Sequence, residues 1–199
     1  MKIVEIFDSI QGEGSWMGVP CTFIRAAGCS LHCDFCDSKI TWAEGKTDMS
    51  IDEILCHIGY RHVVITGGEP TEQASELRRL INELKRRNHV VALESNGTYE
   101  WYKDLHCDWV VVSPKPAAAY CVFPEGVNEL KYVVTKDFVD SVAIPETIRH
   151  TFRGNIWLQP CDYGEPEATA AMMRKAYDIA MSDQRLRVGI QLHKTLGVQ

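Results

Sequence analysis

Val63-Val64-Ile65-Thr66-Gly67-Gly68-Glu69-Pro70 is an apolar, β-rich run that stops at two glycines and restarts at a proline. Glycine admits backbone conformations closed to other residues and proline opens a new segment, so the stretch reads as a strand followed by a turn. A helix comes next, because Leu77, Leu80, Ile81 and Leu84 repeat at helical spacing while Arg78, Arg79, Lys85 and Arg86 take the other face. Such a helix should pack on a sheet.

The same alternation extends in both directions. β-rich runs recur at 21–24, 90–93, 109–112, 130–134, 156–158 and 188–190. Ser50 with Glu53 forms a capping box that opens a helix through Ile54 and Leu55, and residues 165–181 form another helix with Ala168, Ala171, Met172 and Ala176 apolar. Strands alternating with helices imply a parallel sheet whose functional residues gather at the strands' C-terminal ends. The 199 residues are few for a closed eightfold barrel, and the regions near 114–128 and 135–155 are poor in helix. The expected fold is therefore α/β, an incomplete TIM-like barrel of parallel strands with fewer helices. No linker, repeat or long charge run divides the chain, so 1–199 is expected to be one domain.

With 45% hydrophobic residues the chain can bury a continuous core, and a formal net charge of −6 argues against a broad nucleic-acid-binding face. The opening residues alternate charge with apolar side chains, unlike a signal peptide, and no segment approaches a membrane span. A cytoplasmic location is expected, with neither membrane nor nucleic acid as a direct partner. In a reducing cytosol, eight cysteines are free to bind metal.

Three of them lie in Cys29-Ser30-Leu31-His32-Cys33-Asp34-Phe35-Cys36, where one loop can aim all three thiols at a single centre. Three thiolates on a four-iron, four-sulfur cluster leave one iron open to an outside ligand. Structural zinc completed by His32 or Cys21 is the alternative, although no second close cysteine pair follows: Cys56, Cys107, Cys121 and Cys161 stand alone. Cys21, Cys56, Cys107 and Cys121 read as small buried residues.

The triplet, with Phe35 before its last cysteine, resembles the signature of the radical S-adenosylmethionine (SAM) enzymes, and Thr66-Gly67-Gly68-Glu69-Pro70 resembles the segment of that superfamily that meets the SAM amino group. Several further segments resemble the 7-carboxy-7-deazaguanine synthase family: Gln11-Gly12-Glu13-Gly14, Phe23-Ile24-Arg25, Cys36-Asp37-Ser38, Glu94-Ser95-Asn96-Gly97, Ser113-Pro114-Lys115, Gln159-Pro160-Cys161-Asp162 and Gln191-Leu192-His193-Lys194. They cover most of the chain.

That resemblance implies conversion of 6-carboxy-5,6,7,8-tetrahydropterin to 7-carboxy-7-deazaguanine with loss of ammonia, on the route to queuosine and other deazapurines. It implies a 4Fe-4S cluster on Cys29, Cys33 and Cys36, SAM as a regenerated cofactor, and magnesium on the Ser38 hydroxyl, where the family often has Thr. Chemistry by cluster and cofactor leaves no residue in an acid-base catalytic role. Gln11, Gly12, Glu13 and Gly14 would meet the pterin edge, Arg25 its carboxylate, and Thr66 the substrate. Gly68, Ser113, Pro114, Lys115, Gln159, Pro160, Cys161 and Asp162 would hold SAM, with Phe35, Cys36 and Asp37 beside its adenine. The chain terminus, here Gln199, would fold back onto the substrate. A homodimer and an electron donor such as flavodoxin or ferredoxin are implied as partners.

Two other readings differ in what they predict. A glycyl-radical activase fits poorly because the usual Gly-Pro-Gly before the cysteines is absent. A non-enzymatic zinc module would need neither SAM nor low-potential redox chemistry.

Overall fold

The computed structural model describes residues 1–42, 47–99, 104–115 and 126–199. Among these, β1 (Lys2–Ile10), β2 (Pro20–Ala26), β3 (Thr47–Asp48), β4 (His62–Gly67), β5 (Val90–Ser95), β6 (Trp109–Val112), β7 (Glu129–Val134), β8 (Asn155–Pro160) and β9 (Leu186–Val188) form one sheet in the order β3-β1-β2-β4-β5-β6-β7-β8-β9. From β2 to β9 every neighbouring pair is parallel, and among the described residues the sheet does not close on itself. This is a partial TIM-like barrel.

The expectation of parallel strands throughout is corrected at one edge. β1 runs antiparallel to both β2 and β3, and no strand was read there from the sequence. Its Lys2, Glu5 and Asp8 broke up the apolar pattern because β1 lies near the edge, where charges discourage pairing with other chains. The last strand is also shifted: β9 stops at Val188 and Ile190 is exposed.

The helices pack against the sheet as their faces require. In α2 (Ala74–Arg86), Leu77, Leu80, Ile81 and Leu84 are fully buried, each contributing ~1.5–3 kcal/mol relative to exposure. The Ser50–Glu53 capping box opens α1 (Ile51–Leu55). α3 (Asp140–Ala143) and α4 (Glu146–Thr151) are short, as the weak pattern there implied. In α5 (Pro166–Ser182) the buried stripe is Met172 and Ala176 with Ile179 and Ala180 beside them; Ala171 is exposed, because the core-facing stripe is set by contacts with β8 and β9. α6 (Leu192–Leu196) is the last helix, capped by Gly197.

Strand alternation divides the interior. Residues such as Ile24, Val63, Ile65, Leu93 and Leu130 face the helices and form the main core. A smaller cluster of Cys21, Phe23, Val64 and Ala92, with Trp16 and Trp109 against it, fills the other face. Farther along the same strands that face turns polar, with Arg25, Thr66, Glu94, Ser113, Lys131 and Gln159 in place of apolar residues.

Candidate active site

The polar positions line a cavity of about 510 Å³, within the range that holds a small ligand. Because parallel strands share direction, their C-terminal ends and following loops meet at one rim. The cysteine loop leaves β2, the Gly67–Gly68 turn leaves β4, and Ser113 and Lys115 leave β6. Cys29, Cys33 and Cys36 all line this cavity, all as free thiols. Burial pushes the Cys29 and Cys33 thiols above their ordinary pKa.

The zinc alternative loses its proposed fourth ligands here. Cys21 sits fully buried at the other end of β2, among Phe23 and Val64, and the exposed His32 packs against the Trp42 ring at 5.0 Å. The three clustered thiols suit a four-iron cluster, in which each thiolate takes its own iron.

The paired glycines are required by backbone packing. A Cβ on Gly67, whose φ is +129°, would lie 2.2 Å from the Ala26 carbonyl oxygen, and one on Gly68 would lie 1.9 Å from the Gly28 carbonyl oxygen. The turn is therefore pressed onto the cysteine loop's root, where Gly68 N–H donates to Ala26 O at 3.0 Å and Glu69 N–H to Gly28 O at 2.7 Å. Glu69, fully buried, fastens the neighbouring loop: it accepts from Thr71 N–H at 3.0 Å, Thr71 Oγ1 at 2.6 Å, Ser95 Oγ at 3.0 Å and Asn96 N–H at 2.6 Å. Burial pushes this carboxyl upward in pKa against the pull of those donors.

A charged network crosses the cavity floor. Lys131 Nζ donates to Glu13 Oε2 at 2.7 Å and to Glu94 Oε2 at 3.4 Å. Glu94 also accepts from Gln11 Nε2 at 3.0 Å and Thr66 Oγ1 at 3.3 Å. Burial opposes charge on each partner, yet the carboxylates hold the Lys131 ammonium above its ordinary pKa and Lys131 holds Glu94 below its own. Lys115, which donates to Ser113 Oγ at 2.6 Å, is pushed downward by burial.

The chain's end closes one side. Gly12 O accepts from Leu192 N–H at 2.9 Å, Gln191 Nε2 reaches Glu13 Oε1 at 2.8 Å, and Lys194 pairs with Asp162 at 2.6 Å. Gln199 accepts from Ser9 Oγ through its carbonyl and donates from its side chain to Glu5 Oε2 at 2.9 Å. Arg25 also meets Glu5, Nε to Oε1 at 2.7 Å, and its Nη1 donates to Ser38 Oγ at 3.2 Å. Ser38 in turn donates to Asp37 Oδ1 at 3.0 Å.

Of the residues singled out in the sequence, Gln11, Gly12, Glu13, Arg25, Thr66, Gly68 and Gln199 line the cavity, as do 35–38, Ser113, Lys115 and 159–162. Gly14 and Pro114 are not brought to it. Gly14 turns aside into a neighbouring cleft, at φ +66°, where a Cβ would meet Glu129 Oε2 at 2.4 Å. Sequence reasoning assigned no role to Lys131, Gln191 or His193 and gave Glu94 none of first rank; all four line the cavity. A charge within an otherwise apolar strand was the available signal for Glu94 and Lys131. Among the scattered cysteines, Cys21 is buried, Cys107 half-buried and Cys56 exposed, which corrects the burial expected for Cys56; Cys121 lies outside the described residues.

Residues 23–117 match the Radical SAM superfamily. A 7-carboxy-7-deazaguanine synthase from Synechocystis sp. is 34% identical over 205 residues, covering 99% of this chain and 93% of the relative. Another from Bacteroides thetaiotaomicron is 32% identical and covers 100% and 98%. The crystal structure of QueE from Escherichia coli superposes with a TM-score of 0.73 at 30% identity, covering 96% of this chain and 94% of that one.

Proposed function

The chain belongs to the 7-carboxy-7-deazaguanine synthases, radical SAM enzymes of queuosine biosynthesis, and from that membership we propose how its own residues serve the conversion of 6-carboxy-5,6,7,8-tetrahydropterin. When bound, the 4Fe-4S cluster would supply the one-electron reduction that activates SAM for radical chemistry. Cys29, Cys33 and Cys36 hold the cluster. The observation that carries the reading is that the cysteine loop, the Gly67–Gly68 turn and the Glu13–Lys131–Glu94 network open onto one cavity.

Gly68, Ser113, Lys115 and residues 159–162 hold SAM, with Phe35, Cys36 and Asp37 beside its adenine. The N–H groups of Gly68 and Glu69 are engaged by β2 and the loop after it, so the turn meets the SAM ammonium with carbonyl oxygen. Pro114 shapes the loop between Ser113 and Lys115 without lining the cavity. Gln11, Gly12 and Glu13 meet the pterin edge beside Thr66, with Gly14 setting their turn. Arg25, steadied by Glu5, keeps its outer nitrogens for the substrate carboxylate. Ser38 and Asp37 would offer the hard oxygen donors that magnesium takes, and Arg25 Nη1, which donates to Ser38 Oγ, would be within reach of a carboxylate beside them. Gln199 reaches the substrate by its main-chain carboxylate, which has acceptor capacity beyond its contact with Ser9 Oγ, while its side chain is held by Glu5. The protein acts as a single domain and as a homodimer in the cytoplasm, reduced by a flavodoxin or ferredoxin.

The test is an anaerobic assay of iron-reconstituted protein with 6-carboxytetrahydropterin, SAM, magnesium and a strong reductant, followed by mass spectrometry. Product is expected from the intact protein and none from Cys33→Ala. Cleavage of SAM with the pterin untouched would refute the substrate, and zinc with no SAM cleavage would refute the whole reading.

A further inference from the structure

Lys131 lies within β7 on the barrel's inner face, while its two carboxylate partners come from elsewhere: Glu13 from the loop after β1 and Glu94 from β5. Glu13 Oε1 accepts from Gln191 Nε2, Glu94 Oε1 from Gln11 Nε2, and Gln11 Oε1 from Glu13 N–H at 3.1 Å. Lys131, Glu13, Gln11 and Glu94 thus close a ring of hydrogen bonds at the cavity floor. The side chains of Lys131, Glu13 and Glu94 are only 16%, 13% and 21% exposed, so water screens the two like charges poorly. Without the ammonium between them the carboxylates would repel, and one would take a proton and become a donor.

We propose that Lys131 is the positioning residue for substrate recognition, tying Glu13 and Glu94 into one acceptor pair for the N–H edge of a reduced 2-amino-4-oxopteridine ring. This rests on the function proposed above. A carboxylate accepts about four hydrogen bonds. Lys131 and Gln191 occupy two sites on Glu13, while Lys131, Gln11 and Thr66 occupy three on Glu94. Ring N–H groups can therefore add without breaking the network. The donor-rich edge of a pterin suits this floor, whereas an acceptor-rich ring would meet two carboxylates.

The experiment compares wild type with Lys131→Met and Lys131→Ala, each loaded with cluster and checked for iron content and melting temperature. Pterin KM is expected to rise ~10–100-fold, as when a charge-assisted contact is lost, while SAM affinity and substrate-free reductive cleavage of SAM stay within twofold. Ethylammonium added to Lys131→Ala is expected to recover part of the loss. If Lys131→Met does not fold, Lys131→Met/Glu94→Gln, which removes one charge of each sign, replaces it and is expected to fold and bind pterin weakly. Wild-type pterin KM in whichever of these variants folds overturns the proposal, as does an equal loss of SAM binding. Failure of the wild type to consume the pterin would instead overturn the function on which the proposal rests.

Discussion

Glu69→Gln isolates what the buried carboxylate behind the glycine turn contributes. Its Oε1 accepts from Thr71 N–H, Thr71 Oγ1 and Ser95 Oγ, while Oε2 accepts from the Asn96 N–H. Glutamine has one acceptor oxygen and one donor group. With its oxygen at the Oε1 position it keeps the three contacts on that side but faces the Asn96 N–H with another N–H. One buried backbone donor is then unsatisfied, which costs ~1–3 kcal/mol, and at ~2–4 °C per kcal/mol for a chain of this size the melting temperature should fall by ~2–12 °C. Anaerobic thermal melts by circular dichroism, on protein with and without cluster, measure the shift. Because the Asn96 amide and the Gly68 turn are both fastened here, SAM KM should rise with it. Adding Ser95→Ala tests the orientation: if the Gln oxygen takes the Oε1 position, that change costs the same in both backgrounds. A melting temperature within 1 °C of wild type would refute the reasoning, since it would mean the Asn96 N–H had found another acceptor.

Gly67→Ala should cost ~3 kcal/mol or more, because both its φ of +129° and the Ala26 backbone oppose a methyl; a melt unchanged from wild type would contradict this. The Asn96 amide, whose Oδ1 is fixed by Thr98 N–H at 2.9 Å and Oγ1 at 2.6 Å, aims its Nδ2 at Cys29 Sγ, 3.9 Å away. Asn96→Leu should lower the cluster's midpoint potential in an EPR-monitored redox titration, and an unmoved midpoint would dismiss the contact. Hydrogen bonds from Arg185 and Arg149, working against burial, lower the Asp183 carboxyl to about 2. A depressed carboxylate stabilises the fold above its unfolded pKa of about 3.9 and loses that contribution as pH falls through its folded value. Asp183→Asn should therefore be less stable at pH 7, with the gap narrowing between about pH 4 and pH 2; a pH-independent gap would point to packing.

The sequence carried the βα units well because their faces are one-sided. α2 with its four leucine and isoleucine positions and the Ser50 capping box are local signals, and the structure keeps both. β1 was not legible for the opposite reason. It lies near an edge, its charged residues tolerate solvent, and pairing with β2 and β3 is what makes it a strand. At the rim, the cysteine spacing and Gly67–Gly68 were readable because a loop imposes them locally. The glycines' reason was not, since it depends on Ala26 and Gly28, about forty residues earlier in the chain. Glu94 and Lys131 were hidden within strands because their meaning lies in a pairing across β5, β6 and β7 that no single segment contains.

That pairing also explains how one sheet serves both stability and chemistry. Along β5, Val91 and Leu93 point to the main core while Ala92 and Glu94 point inward; along β7, Leu130 and Tyr132 face the core while Lys131 faces inward. The two-residue period of a strand assigns each side chain to one role, and a slip of one residue would exchange them. Lys131 would then enter an apolar core without a carboxylate, and Leu130 would stand opposite Glu13. The buried ion network therefore raises the energy of misregistered pairings. A sheet that among the described residues does not close on itself, with few helices to fix it, depends on that constraint more than a closed barrel would.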